Sequence, residues 1–197
     1  MSQLKVNAII HPSGAANNIT LDNAGNVTLA NTLAVPTGNV YPVVISTSQN
    51  TTSGTSIDFT GIPSWVKRIT IMYNGVSTSG SAALLVQIGA GSVVTTGYSG
   101  TGTGYSGASS GASTAFTAGF GTEDLGNAAF LRYGHSILTS FTGNTWIFSS
   151  VISTAGSTAT RWGAGTLTLS GALDRVRITT TNGTDTFDAG SVNIQYE

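Results

Sequence analysis

Few side chains in this chain are of a type that does acid–base, nucleophilic or metal chemistry. The histidines are His11, in the turn cluster His11-Pro12-Ser13-Gly14, and His135, close to Arg132 and Tyr133. Glu123 and Asp124 are adjacent, and Asp174, Asp185 and Asp188 lie toward the C-terminal end. A hydrolase needs a nucleophile with its base, or two carboxylates at a working separation. Asp185 and Asp188 flank Phe187 and are expected to meet Arg175 or Arg177 across a hairpin, as structural pairs. A calcium site needs six or more oxygens, and Asn182, Asp185 and Asp188 do not follow the EF-hand spacing. Gly102-Thr103-Gly104-Tyr105-Ser106-Gly107 has dinucleotide-fingerprint spacing, but that motif works only where a strand turns into a helix, and more Gly, Ser and Thr follow here. The expectation is a chain that is not an enzyme, with no metal site and no cofactor.

Recognition asks for less. A sugar ring is held by an aromatic face against its C–H face, with neutral hydroxyl and amide hydrogen bonds around it. Tyr98, Tyr105, Tyr133 and Trp162 lie in turn-rich sequence and suit that role, with Arg132, His135 and Arg161 close by. The alternative is that these side chains pack on their own domain or on a neighbouring protomer. The Asn-X-Ser/Thr matches at Asn18, Asn26, Asn50 and Asn182 are what this composition yields by chance.

From Ile69 to Thr122 the chain carries no Asp, Glu, Lys, Arg or His. The longest apolar run there, Ala82 to Val86, is far too short to span a bilayer. Charged residues make up 8% of the 197 residues, against about 25% in ordinary soluble domains. So sparse a charge points to a surface partly buried in an oligomer. A net charge of −1 and a pI near 6.0 argue against nucleic acid, which needs clustered Lys and Arg. Cysteine is absent, which excludes disulfides. The opening Met1-Ser2-Gln3-Leu4-Lys5 predicts no secretory leader.

The elements that must position these residues read as strands. Abundant Thr and 26 Gly, with few strong helix formers, make a β-protein's composition. Residues 1–40 stand apart. Leu4 to Ile10 predicts a strand, and Asn18-Ile19-Thr20-Leu21-Asp22-Asn23 is echoed by Asn26-Val27-Thr28-Leu29-Ala30-Asn31. Each copy has only two apolar side chains, so it gains stability by stacking on neighbouring chains or else forms an ordinary hairpin. Leu4, Val6, Ile9, Ile19, Leu21, Val27 and Leu29 are the candidate trimerisation and attachment positions. Val35-Pro36-Thr37-Gly38-Asn39 reads as a junction. Residues 41–197 then show seven to nine alternating strands, with turns at Asn74-Gly75, Gly143-Asn144 and Asn182-Gly183. That pattern predicts an antiparallel β-sandwich, jelly-roll-like. Residues 97–122 predict a long, partly ordered surface loop carrying Tyr98, Tyr105, Phe116 and Phe120.

Three strings resemble proteins of tailed phages. Leu4-Lys5-Val6-Asn7-Ala8-Ile9-Ile10-His11-Pro12-Ser13-Gly14, with Asn18 to Asp22 after it, resembles openings of virion and tail-fibre proteins, especially from marine and cyanobacterial phages. Gly61-Ile62-Pro63-Ser64-Trp65-Val66-Lys67-Arg68-Ile69-Thr70 is similar to a distal domain of many tail fibres, as is Leu173 to Thr180 with Asn182 to Ser191. The resemblance implies a homotrimeric β-rich fibre of the virion, more on the tail than on the capsid, assembled in the host cytoplasm. Its N-terminal part would dock on other tail or capsid proteins, and its distal domain would face a glycan or protein of the host envelope. The chain lacks the extended shaft of long fibres, which leaves a capsid decoration protein or head fibre as the alternative and a glycan-degrading tailspike as a remote second.

Overall fold

The computed structural model describes residues 8–9, 19–21, 23–24, 27–29, 33–35, 38–106, 109–110, 113–124, 126–155 and 159–197. Among them there is no helix, and every strand pairing is antiparallel. The chain divides into two compact units, Met1–Pro42 and Val43–Glu197.

In the first unit, β1 (Ala8–Ile9), β2 (Ile19–Leu21) and β3 (Val27–Leu29) form one sheet. The two copies of the repeat are β2 and β3, paired with Thr20 opposite Thr28 around a turn at Asn23–Ala24. β4 (Leu33–Val35) and β5 (Gly38–Val40) make a separate ribbon. Leu4 and Val6 lie outside the described residues.

The second unit opens with β6 (Val44–Ile45), β7 (Gln49–Asn50), β8 (Ser56–Thr60), β9 (Arg68–Thr78), β10 (Leu84–Ala90), β11 (Ser92–Val93) and β12 (Ser99–Ser106). It continues with β13 (Ser109–Ser110), β14 (Thr114–Phe116), β15 (Phe120–Gly121), β16 (Leu131–Thr142) and β17 (Thr145–Ala155). It closes with β18 (Ala159–Thr168), β19 (Arg175–Thr180) and β20 (Phe187–Tyr196). The small sheet runs β11-β10-β19-β8, with β15 also on β10. The large sheet runs β13-β12-β18-β17-β16-β9-β20-β6, with β14 on β12 and β7 on β20. Phe59, Val86, Ile88, Val176 and Ile178 of the small sheet share one core with Ile69, Ile71, Leu138, Phe148, Ile152, Val192 and Ile194 of the large one. The unit is a β-sandwich, as the alternation predicts. β17 shows why: Trp146, Phe148, Ser150, Ile152 and Thr154 point in, while Ile147, Ser149, Val151, Ser153 and Ala155 point out.

Among the described residues, the stretch 97–122 is largely built into strands β12 to β15 rather than forming a surface loop. β12 pairs along its whole length with β18, from Ser99 opposite Thr166 to Ser106 opposite Ala159. Its inward positions are Gly100, Gly102 and Gly104, and those of β18 include Gly163 and Gly165. The chain from Phe116 to Asp124 lies over Gly102, Gly104, Gly163 and Gly165. A Cβ on Gly102 would strike the Glu123 carbonyl, one on Gly163 the Gly121 carbonyl, and one on Gly121 the Phe116 ring. Gly102, in the run that imitates a nucleotide fingerprint, therefore serves close backbone approach. Phe120, held over this floor, stacks on Phe148 at 4.7 Å and meets Tyr98 edge-on at 4.8 Å.

Asn74-Gly75 also departs from expectation, because it lies inside β9. Val76 faces Arg132 while Asn74 faces Tyr133, so Gly75 is the extra residue of a β-bulge, at φ 67°. Gly143-Asn144 and Asn182-Gly183 do lie in turns. Asp185 meets neither arginine: it accepts hydrogen bonds from Asn182 Nδ2 (2.7 Å) and the Ala82 amide (2.9 Å), and these hold its carboxyl below the usual carboxylate range. Asp188 is exposed, Arg177 forks onto Asp58, and Arg175 onto its neighbour Asp174.

Gly163→Ala is expected to destabilise the unit by about 1–3 kcal/mol through overpacking against Gly121, read as a fall in the thermal midpoint. Ala164→Ser, on the outward side, should stay within about 0.5 kcal/mol of the parent. Because the folded pKa of Asp185 is lowered, its contribution is present above the unfolded carboxylate value of about 3.9 and is lost as pH falls through the folded value. The stability gap between the parent and Asp185→Asn should accordingly be open at neutral pH and close on acidification, in urea melts across that range.

Candidate functional site

The outward face of the large sheet is where the exposed aromatic side chains gather. Cross-strand register sets them in rows. One row runs Thr103, Trp162, Val151, His135, Met72 and Asn193 from β12 to β20. The next runs Tyr105, Thr160, Ser153, Tyr133, Asn74 and Ser191. Trp162 and Tyr133 are each 41% exposed and Tyr105 is 49% exposed, while His135, Val151 and Ile147 are also exposed on this face. Trp162 lies directly opposite Val151, and Val151 directly opposite His135, so these three are lateral neighbours about 5 Å apart per step. Tyr133 extends beside the Gly75 bulge, where a Cβ would sit 3.4 Å from its hydroxyl oxygen. Neither row contains an Asp, Glu, Lys or Arg.

Four of the six candidate contact residues, Tyr105, Tyr133, Trp162 and His135, thus share one surface. Tyr98 and Arg132 do not belong to it. Tyr98 is 3% exposed, and its hydroxyl accepts from the Ile88 amide (2.8 Å) and donates to the Val94 carbonyl (2.9 Å). Burial pushes its pKa up to about 12, against the opposing Ile88 hydrogen bond. It braces the core beneath β10.

Arg132 is fully buried and forms an ion cluster that the sequence reading missed. Its Nε donates to Glu123 Oε1 at 2.9 Å, and Arg161, also buried, pairs with Asp124. Phe130 lies beneath both guanidinium groups, 4.9 Å from that of Arg161 and 5.8 Å from that of Arg132. Glu123 Oε1 also accepts from the Leu84 amide (3.1 Å), which ties β10 of the small sheet to β16 and β18 of the large one. Burial pushes the Glu123 carboxyl up, while Arg132, the Leu84 amide and Arg161 pull it back down. The charges balance within the cluster, and its carboxylates face the arginines rather than solvent; Glu123 Oε2, 4.0 Å from Arg161 Nε, has no hydrogen-bond partner among the described residues. One signal for it was available: Glu123 and Asp124 end the long uncharged run, and Arg132 stands at an inward position of β16, in phase with Ser136 and Leu138. β16 itself is hidden in the sequence because two of those inward residues are polar. Ser136 is satisfied by Tyr73 (3.2 Å) and Ser150 (3.0 Å) in a buried hydroxyl chain.

No protein-family model, curated protein or solved structure matches the chain.

Removing one partner of a buried ion pair leaves the other uncompensated, so Glu123→Ala should cost about 3–5 kcal/mol in urea denaturation. Glu123→Gln, which keeps an acceptor for the Leu84 amide, should lose less.

Proposed function

We propose that this chain is a structural protein of a phage virion, a short homotrimeric tail fibre that adheres to the host surface without catalysis. The observation that carries the reading is the outward face of the large sheet, on which Trp162, Tyr133, Tyr105 and His135 stand among Thr, Ser and Asn. Aromatic faces offer apolar contact to the C–H side of a sugar ring, and the surrounding hydroxyls and amides hydrogen-bond its hydroxyls. A surface with so little charge imposes no like-charge repulsion on a neutral or zwitterionic envelope glycan. Flat open faces bind weakly one at a time, and three copies on one fibre convert weak contacts into stable attachment.

The resemblance of the N-terminal string to phage virion openings supports a docking and trimerising role for residues 1–40. Ile9, Ile19, Leu21, Val27 and Leu29 lie in β1, β2 and β3, and a three-stranded sheet of such short strands gains stability when it stacks on copies of itself.

The purified protein is expected to bind at least one polysaccharide in a panel of bacterial envelope glycans by biolayer interferometry. Trp162→Ser combined with Tyr133→Ser should weaken that binding at least tenfold with the thermal midpoint unchanged. Binding equal to the parent's in the double variant would remove the face from the reading, and a panel without any binder would remove glycan adhesion. Sedimentation equilibrium should give three times the chain mass, falling to one chain mass in Leu21→Asp combined with Leu29→Asp.

A further inference from the structure

The small sheet has an outward face of its own, and it is concave. Leu85 and Gln87 of β10 stand opposite Thr179 and Arg177 of β19, and Thr179 stands opposite Ser56 of β8. Ala118 walls one side of this floor and the turn from Thr180 to Gly183 closes one end, enclosing about 300 Å³. That is at the small end of the range for small-molecule pockets. We propose that this pocket binds one neutral pyranose unit, separately from the aromatic face of the large sheet and independently of the adhesive reading.

The chemistry of the lining selects the ligand. Gln87 is only 7% exposed, and its Nε2 is held by the Ala118 carbonyl at 2.8 Å. Its Oε1 accepts no hydrogen bond among the described residues, and the side chain lines the cavity. An amide oxygen so placed is open to a donor, and a ring hydroxyl supplies one. Directly across the ladder, Arg177 gives Nε and Nη2 to Asp58 at 2.7 and 2.9 Å, which leaves the N–H groups of Nη1 without an acceptor among the described residues. Gln87 as acceptor beside Arg177 as donor matches two neighbouring hydroxyls of one sugar. Thr179 Oγ1 donates to the Thr55 carbonyl (2.8 Å) and keeps lone pairs for a third contact.

Charge decides between neutral and acidic ligands. The Arg177 guanidinium is already compensated by the forked Asp58 carboxylate, so an incoming carboxylate or phosphate would find a neutral pair and a nearby negative group. The exposed Ala118 contributes apolar surface for the C–H side of a ring. A hydroxyl-rich, uncharged ligand meets every group that lacks a partner and disturbs none that has one.

The test is a titration of the isotope-labelled full chain with D-glucose, D-galactose, D-mannose and N-acetylglucosamine, followed in amide-resolved NMR spectra, with D-glucuronate as the acidic probe. At least one neutral sugar should give saturable millimolar shifts in the Gln87 side-chain amide and in the Thr181 and Asn182 backbone amides. Thr181→Arg, at an exposed turn position over the mouth, should abolish those shifts while the rest of the spectrum stays in place. The proposal is overturned if no neutral sugar saturates, if the shifts survive Thr181→Arg, or if glucuronate binds more tightly than every neutral sugar. The double variant Trp162→Ser, Tyr133→Ser should keep the titration intact. Failure here with polysaccharide binding retained therefore removes the pocket alone, and the reverse outcome removes the adhesive face alone.

Discussion

The passage of one stretch of backbone across the inner face of two glycine-bearing strands is the contact on which the sandwich depends. Between Phe116 and Asp124 the chain runs over Gly102, Gly163 and Gly165 at distances that leave no room for a Cβ. Peptide groups that approach so closely need side chains removed from the floor, and alternate glycine on a strand removes them from one face only. Thr101, Thr103 and Tyr105 keep the other face of β12, so the strand that makes room inside still contributes an aromatic side chain outside. The same crossing seats Phe120 between Tyr98 and Phe148 in the core.

The crossing ends in the buried ion cluster, and the two features belong together. Backbone brought this deep carries Glu123 and Asp124 into the interior, where isolated carboxylates would be very costly. Arg132 and Arg161 arrive from β16 and β18 to balance them, and Phe130 lies beneath both guanidinium groups. Charge is thereby spent on joining the two sheets at Leu84 and withdrawn from the exterior. A surface of Thr, Ser, Asn and aromatic residues is what remains on the outward face of the large sheet, and it suits neutral, hydroxylated partners better than ionic ones.

Much of the architecture is legible from local pattern. β17 announces itself through Trp146, Phe148 and Ile152 alternating with outward residues, and β9, β10, β19 and β20 do likewise, because an apolar row every second residue has few other uses. β16 and β12 escape that test: Arg132 and Ser136 occupy inward positions of one, and glycines those of the other. Asn74-Gly75 misleads for a related reason. The pair permits a positive φ, which a hairpin turn and a β-bulge both require, and only the partner strands show which one is present.

The candidate surface divides along the same line. Residue type alone put Tyr105, Tyr133, Trp162 and His135 forward as contact residues, since aromatic side chains in a poorly charged chain have recognition or packing as their roles. Composition also determined the all-β class, because scarce helix formers and abundant Thr, Ser and Gly leave strands and turns as the available elements. Only the tertiary structure decided that Tyr98 and Arg132 face inward while the other four share one face. It also decided that Gln87, Arg177 and Thr179 meet around one cavity. Those outcomes depend on strand register and on which segment covers which face, and such long-range pairings leave no mark in the spacing of neighbouring residues.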